Sequence, residues 1–325
     1  MLMNVLLFSG TLMCSTLIAQ NVTIGTQNWT QTNLDVAAFR NGDSIQRAQT
    51  DAEWKLASMF QEPAWCYYKT ETGEVTTYCK LYNWYAVIDP RGLAPAGWHI
   101  PTVAEWETLN DFLVDKKAGK KMKSATGWKD EGGTNTSGFS GLPGGERGDV
   151  IGFFGMGSFG NWWCSSGATA TEGVCVSLTR GLDLLSVQYK SKTMGFSVRC
   201  IEGEATIPVV KVIPNHFRDS IIGTTTKIGN LEIAQFDFPG TMNLAVAQGA
   251  CTRLGTGWRI PTTEELDIMY AQRVEIGGFS NAYYWRVVPY GTGFRYNFLN
   301  FLDNTWGAPT SMKYSEGRVR AVRSI

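Results

Sequence analysis

The chain has 325 residues, with 29 Lys and Arg against 29 Asp and Glu, only 18% charged residues, and abundant Gly (36), Trp (12), Tyr (12) and Phe (16). The balanced charge excludes an electrostatic footprint for nucleic acid or an anionic membrane surface, and the length suits two domains of ordinary size. Such a composition favours Gly-rich loops and aromatic-packed strands over long surface helices, as in extracellular β-rich binding modules and some secreted enzymes.

Residues 1–19 form an apolar run (Leu2, Val5, Leu6, Leu7, Phe8, Leu12) ending in Leu17-Ile18-Ala19, read as a secretory signal peptide cut after Ala19. Export to the outside of a bacterium, secreted or held at the surface, is the expected localisation. Cys14 lies within the leader and Met13 before it is too bulky for lipoprotein cleavage. No later stretch is long and apolar enough to span a bilayer. Asn21–Asn33 reads as an opening strand, Asn41-Gly42-Asp43 as a turn, and Thr50–Phe60 as a helix with Thr50 or Asp51 at its cap. Two β-prone runs follow, Ala64–Tyr68 and Thr76–Tyr85, then an apolar helix near Leu81–Ile88.

The six residues Gly97-Trp98-His99-Ile100-Pro101-Thr102 recur as Gly257-Trp258-Arg259-Ile260-Pro261-Thr262. Each copy ends in a Thr followed three residues later by Glu (Thr102…Glu105, Thr262…Glu265), a capping box. Apolar residues at helical spacing come next, Trp106, Leu109 and Leu113 in one copy, Leu266, Met269 and Tyr270 in the other. An aromatic cluster succeeds each helix (Trp162-Trp163; Tyr283-Tyr284-Trp285), and each half closes on a Val-Arg strand, Val198-Arg199-Cys200 or Val319–Arg323. The turn reads as scaffolding, in which Trp packs, Pro fixes the backbone and Thr caps.

Between the repeats, Gly119–Gly160 is a long Gly-rich excursion that Trp128, Phe139, Phe153, Phe154 and Phe159 can pin to the body. Strands are expected at Asn161–Cys164, Val174–Thr179, Leu184–Tyr189 and Phe196–Ile201. Residues 204–228, with Ile207–Pro214 bounded by proline, read as an extended linker. The second domain, 229–325, restarts at Gly229–Ile233, with a helix about Asn243–Leu254 and strands Ala282–Val288, Gly293–Phe301 and Arg318–Arg323.

Beyond the leader there are six cysteines, an even number that argues for disulfides in an exported chain. Cys66 with Cys79, and Cys164 with Cys175, are the simplest pairings, each across a turn-rich stretch; Cys200 and Cys251 stay open. A thiolate metal site lacks any C-x-x-C spacing, and no metal or cofactor is expected.

In the first domain, 20–203, the segments Ile24–Trp29, Asn33–Val36, Phe39–Asp43, Pro63–Tyr68, Leu81–Ala86, Pro95–Thr102 and Ser197–Cys200 resemble, in order, the Fibrobacter succinogenes major paralogous domain of secreted bacterial proteins. The second resembles the Lcl C-terminal-like domain through Gly257–Thr262, Glu265-Leu266, Tyr284-Trp285 and Val319–Arg323. Both families are similar to the C-type-lectin-like fold. The resemblance implies an α+β chain of two tandem units, each with a small twisted antiparallel sheet, one or two helices and long loops. It implies extracellular binding or adhesion, with no catalytic residues to carry over. Where relatives place Ser-Ser after the aromatic pair, this chain has Cys164-Ser165 and Arg286-Val287, and Cys79 stands where the first family has Gly.

Chemistry-bearing motifs are sparse. The Gly-rich stretch lacks the Gly-Lys-Ser/Thr of a phosphate loop, there is no D-x-D-x-D-G calcium loop, and no pair of carboxylates is spaced for glycoside hydrolysis. The segment 284–306 is the candidate ligand surface: Tyr284, Arg286, Tyr290, Arg295, Tyr296, Asn297, Asn300, Asn304 and Trp306 combine aromatic area with adaptable hydrogen-bonding groups. The sequence thus points to a non-enzymatic adhesion protein whose partner is an extracellular glycan or surface protein. The alternatives are a structural component of the envelope, or an enzyme such as a polysaccharide hydrolase or a formylglycine-generating-type oxidase.

Overall fold

A computed structural model describes residues 20–113, 117–130, 132–148, 152–204, 216–307 and 315–325, the side chains of His216, Phe294 and Trp306 excepted. The expected signal peptide (1–19, with Cys14) and the linker core (Ile207–Pro214) lie outside the described residues.

Local sequence sets the helices. They are α1 (Asp51–Met59), α2 (Trp84–Val87), α3 (Val103–Phe112), α4 (Ala118–Met122), α5 (His216–Ile222), α6 (Leu244–Arg253), α7 (Thr263–Ala271) and α8 (Arg273–Ile276). Capping boxes start α1, α3 and α7: the hydroxyls of Thr50, Thr102 and Thr262 accept from the third helical N–H, and Glu53, Glu105 and Glu265 reach back to the cap. Asn83 and Asn243 cap α2 and α6. The helix expected near Leu81–Ile88 is shorter, because Leu81–Tyr82 pairs as a strand with Ala64–Cys66.

The strands form small separate sheets in a mixed α+β architecture. In the first half the hairpin Asn21–Ile24/Gln27–Thr30 joins Ile201–Glu202, which also pairs with Trp98–His99, so the opening and closing segments share one sheet. A second sheet runs Phe159–Trp163, Glu172–Thr179, Leu185–Ser191. Its two faces feed two cores: Trp163 and Cys175 pack with Trp84, Trp98 and Phe196 on one side, while Trp162, Val174 and Val176 pack with Trp29, Trp106 and Phe139 on the other. The Gly-rich excursion folds onto this body. Buried Lys123 donates to Thr179 O and Leu182 O, both at 2.6 Å, and Trp128 Nε1 donates to Gly141 O at 3.1 Å.

In the second half Thr226–Ile228, Leu231–Ile233 and Val322–Ser324 form one sheet, and Tyr283–Tyr290, Gly293–Asn300 and Trp306–Gly307 another. Part of the stretch read as linker is therefore structured: α5 buries Ile221 in the second core, and Thr226–Ile228 is a strand. No described sheet takes strands from both halves. The halves meet where α1 crosses α6: Leu56 of α1 is buried among Phe238, Ala247 and Ala250, and Arg253 bonds Glu62 at 2.9 Å.

The two halves repeat one buried network. Arg199 and Arg320, each at most 1% exposed, close the two halves. Arg199 Nε donates to Asn33 Oδ1 at 2.8 Å, and Arg320 Nε to Asp237 Oδ1 at 2.6 Å. Each guanidinium also bonds the carbonyl three residues before that side-chain partner, Thr30 or Ala234, and lies over a phenylalanine, Phe139 at 4.5 Å or Phe279 at 4.2 Å. Trp162 Nε1 bonds Asn33 and Tyr284 Oη bonds Asp237, while the next aromatics, Trp163 and Trp285, donate to Tyr82 O and Met242 O.

The expected disulfides are not formed. Cys66, Cys79, Cys164, Cys175, Cys200 and Cys251 are all free thiols. Trp163, not Cys164, is the cross-strand partner of Cys175. Strand alternation therefore sends Cys164 and Cys175 to opposite faces, into the two different cores. Cys66 lies in a cluster with Trp54 and Tyr68, beside Arg147. Cys79 sits at a left-handed turn (φ 63°) near Asp35 and Lys80. A disulfide needs its two Cβ atoms about 4 Å apart, and neither pair meets that. Burial pushes the Cys66, Cys175, Cys200 and Cys251 thiols up to about 12.

Candidate functional site

The segment singled out by its aromatic and polar content folds as a long hairpin. Tyr283–Tyr290 pairs with Gly293–Asn300 throughout, with Arg286 opposite Asn297, Val288 opposite Arg295, and Tyr290 opposite Gly293. Gly291 takes a left-handed φ of 58° at the first position of the two-residue loop, a conformation that such hairpins require and glycine tolerates. The base rests on the repeated turn: Val287 N donates to Pro261 O at 2.9 Å, and Thr263 Oγ1 to Val287 O at 3.3 Å. The first half has the same joint, with Ser165 N on Pro101 O at 2.9 Å. The departures Cys164-Ser165 and Arg286-Val287 thus occupy equivalent places directly above the turn.

Alternation divides the candidate residues between two faces. Tyr284, Arg286, Tyr290, Arg295 and Asn297 share one; Tyr296 and Asn300 lie on the other. Tyr284 is a core residue with no exposed surface, its hydroxyl donating to Asp237 and accepting from Ser280 N. Burial, with Asp237 beside it, holds that phenol well above its ordinary value. Tyr296 packs on the second core and accepts at its hydroxyl from Gln248 at 2.8 Å. Asn300 and Asn304 build the turn after the hairpin: Asn300 Oδ1 accepts from Leu302 N, and Asn304, exposed, takes φ 58°. The Trp306 side chain lies outside the described residues.

What remains is a strip on one face. Arg286 is 7% exposed and donates Nε to Asn297 Oδ1 at 2.6 Å, with Asp267 of α7 at 3.7 Å from Nη1. Burial lowers the Arg286 pKa, and Asp267 pulls the other way. Toward the tip, the exposed Arg295 guanidinium lies 3.3 Å from the centroid of the Tyr290 ring, itself 58% exposed. Arg286 and Tyr290 are four residues apart, roughly 13 Å along the strand. The strip thus offers a ring face, a cation and a bonded Arg–Asn pair over a length that two or three sugar rings or a short peptide would span. Asp267 beside this strip was not singled out from the sequence; it lies on α7 and becomes a neighbour only through folding.

Among the described residues no three His, Cys, Asp or Glu side chains gather in metal-holding geometry, and no helix is long and apolar enough to cross a membrane. No curated protein and no solved structure matches the chain. A family model described as the Fibrobacter succinogenes major domain matches residues 22–202, from the opening hairpin to the strand that closes on it. That match takes in more than half of the chain, and the protein belongs to the Fibrobacter succinogenes major domain family.

Proposed function

We propose that this is an exported, non-enzymatic binding protein of two C-type-lectin-like units, the second similar to the Lcl C-terminal-like domain, and that it recognises a glycan or surface protein through the Arg286–Tyr290–Arg295–Asn297 strip. The observation that carries the reading is the Tyr290–Arg295 pair: two large side chains held against each other in solvent, above a bonded Arg286–Asn297 pair. A ring face offers apolar contact to the C–H side of a sugar, and guanidinium and amide groups bond hydroxyls or backbone carbonyls. The raised pKa values of the buried thiols support a role without thiol chemistry.

A glycan array compares the protein with the double variant Tyr290→Ala, Arg295→Ala. Loss of about 2 kcal/mol in affinity, roughly thirtyfold, is expected for the best-bound glycan. Identical profiles for the two proteins remove the strip from consideration.

A second reading, an assembly component of the envelope, draws on Leu185–Ser191. This edge strand leaves Val187 46% and Tyr189 56% exposed, next to exposed Leu182 and Leu184. An open apolar edge suits pairing with another chain. Cross-linking in envelope extract that is lost on Val187→Lys favours this reading over glycan binding.

A further inference from the structure

A groove of about 710 Å³ opens in the first half, away from the hairpin, between Thr30–Arg40 and Leu93–Trp98, with Cys200 in its floor. Most of the lining is apolar or small, including Leu34, Val36, Leu93 and Pro95. Arg40, exposed, ties the two walls: its Nε donates to Ala94 O and its Nη2 to Trp98 O, both at 3.1 Å.

Two cations bear on this space, and neither has a carboxylate partner among the described residues. One is Arg40. The other is Arg199, fully buried directly beneath the lining, where it bonds Asn33 Oδ1 at 2.8 Å and Thr30 O at 2.6 Å, both groove residues. Its other acceptors are the carbonyls of Phe139 and Ser140, so every oxygen it meets is neutral. The second half places Asp237 where the first has Asn33, and there the buried arginine is neutralised. The positive field reaches the groove floor: burial pushes the Cys200 thiol up, and Arg199 and Arg40 both pull it down. The one acidic side chain in the lining, Asp35, is engaged by Lys80 at 2.9 Å. A buried cation held only by neutral acceptors favours an anion in the nearest accessible space.

We propose that this groove binds a small amphiphilic anion, its apolar body lying along Leu34, Val36 and Pro95 and its carboxylate or sulfonate facing Arg40 and the floor above Arg199. The test titrates the full chain with two fluorescent probes of similar size, anionic 8-anilinonaphthalene-1-sulfonate and neutral N-phenyl-1-naphthylamine. Three variants are compared, each checked for native circular dichroism. Ala96→Trp fills the groove and abolishes binding of both probes. Asn33→Asp installs the carboxylate found in the second half, and Arg40→Gln removes the cation at the mouth. Each weakens the anionic probe by about threefold or more and leaves the neutral one unchanged. Because Arg40 is exposed, its variant decides the matter even where Asn33→Asp fails to fold. Anionic-probe binding that survives Ala96→Trp, or that responds to Arg40→Gln no more than the neutral probe does, overturns the proposal.

Discussion

His99 and Arg259 occupy the same position in the two copies of the repeated turn and hold the equivalent capping-box carboxylates, Glu105 and Glu265, with different chemistry. Arg259 is bidentate to Glu265, at 2.6 and 2.7 Å. His99 places Nε2 at 2.8 Å from Glu105 and Nδ1 at 2.9 Å from Gly203 O. Both partners are acceptors, so both bonds exist only when the imidazole carries two protons. The Glu105 bond, with help from Gly203 and the charges of Glu105 and Glu204, raises the His99 pKa above its ordinary 6.5, although burial opposes it. Burial pushes the Glu105 carboxyl up, and its bonds from His99 and Thr102 outweigh that and leave it lowered. A raised histidine stabilises the fold fully below its unfolded value, and that stabilisation is lost as pH rises through the folded one. The lowered carboxylate acts in the opposite direction, its contribution fading as pH falls below the ordinary 4.5. The thermal midpoint of the first half is therefore expected to decline from pH 6 toward pH 8. In His99→Arg, which copies the second half, that decline flattens; an unaltered slope argues against the doubly bonded imidazolium.

Secondary structure was the most legible scale, because capping and alternation are local. The Thr-x-x-Glu spacings at Thr102 and Thr262 marked helix starts to the residue, and a third capping box at Thr50 and Glu53 follows the same rule. Thr262→Ala removes the cap of α7 and is expected to cost about 1 kcal/mol in urea unfolding. The helix also supports the hairpin through Thr263 and Val287, so the same variant should raise hydrogen exchange at the Val287 amide. No change in exchange there would separate helix from hairpin. The cysteines illustrate the limit of local reading. Turn-flanked spacing suggests staples, yet a one-residue difference in register turns Cys164 and Cys175 to opposite faces. Register depends on which faces are buried, and that is not a property of the spacing. Gly249 is similar: a glycine inside α6 costs roughly 1 kcal/mol against alanine. Its reason lies on α1, since a Cβ there would come within 2.4 Å of Leu56 Cδ1.

At the scale of the whole molecule, the halves are joined by that helix crossing as well as by the chain between them. Leu56 belongs to the first half by sequence and to the second core by packing. Leu56→Ala is expected to cost about 3 kcal/mol. It should also deprotect α6 amides in hydrogen exchange, although no residue of the second half is altered. Exchange confined to α1 would mean that the crossing couples nothing.

The candidate site divides along the same lines. Its residue types were readable as a cluster of aromatic, Arg and Asn side chains between Tyr284 and Trp306. Which of them reach solvent was not, because strand alternation must be combined with what each face meets: Tyr284 finds Asp237 and the core, Tyr296 finds Gln248, and Tyr290 and Arg295 stack on each other at the exposed tip. The sequence by itself determined the repeated turn, the capped helices and the two closing arginines, since these rest on contacts a few residues apart or on patterns written twice. Only the tertiary structure decided the free thiols, the crossing of α1 with α6 and the uncompensated Arg199 beneath its groove. Those depend on partners tens to hundreds of residues away, whose approach is set by the packing of whole faces.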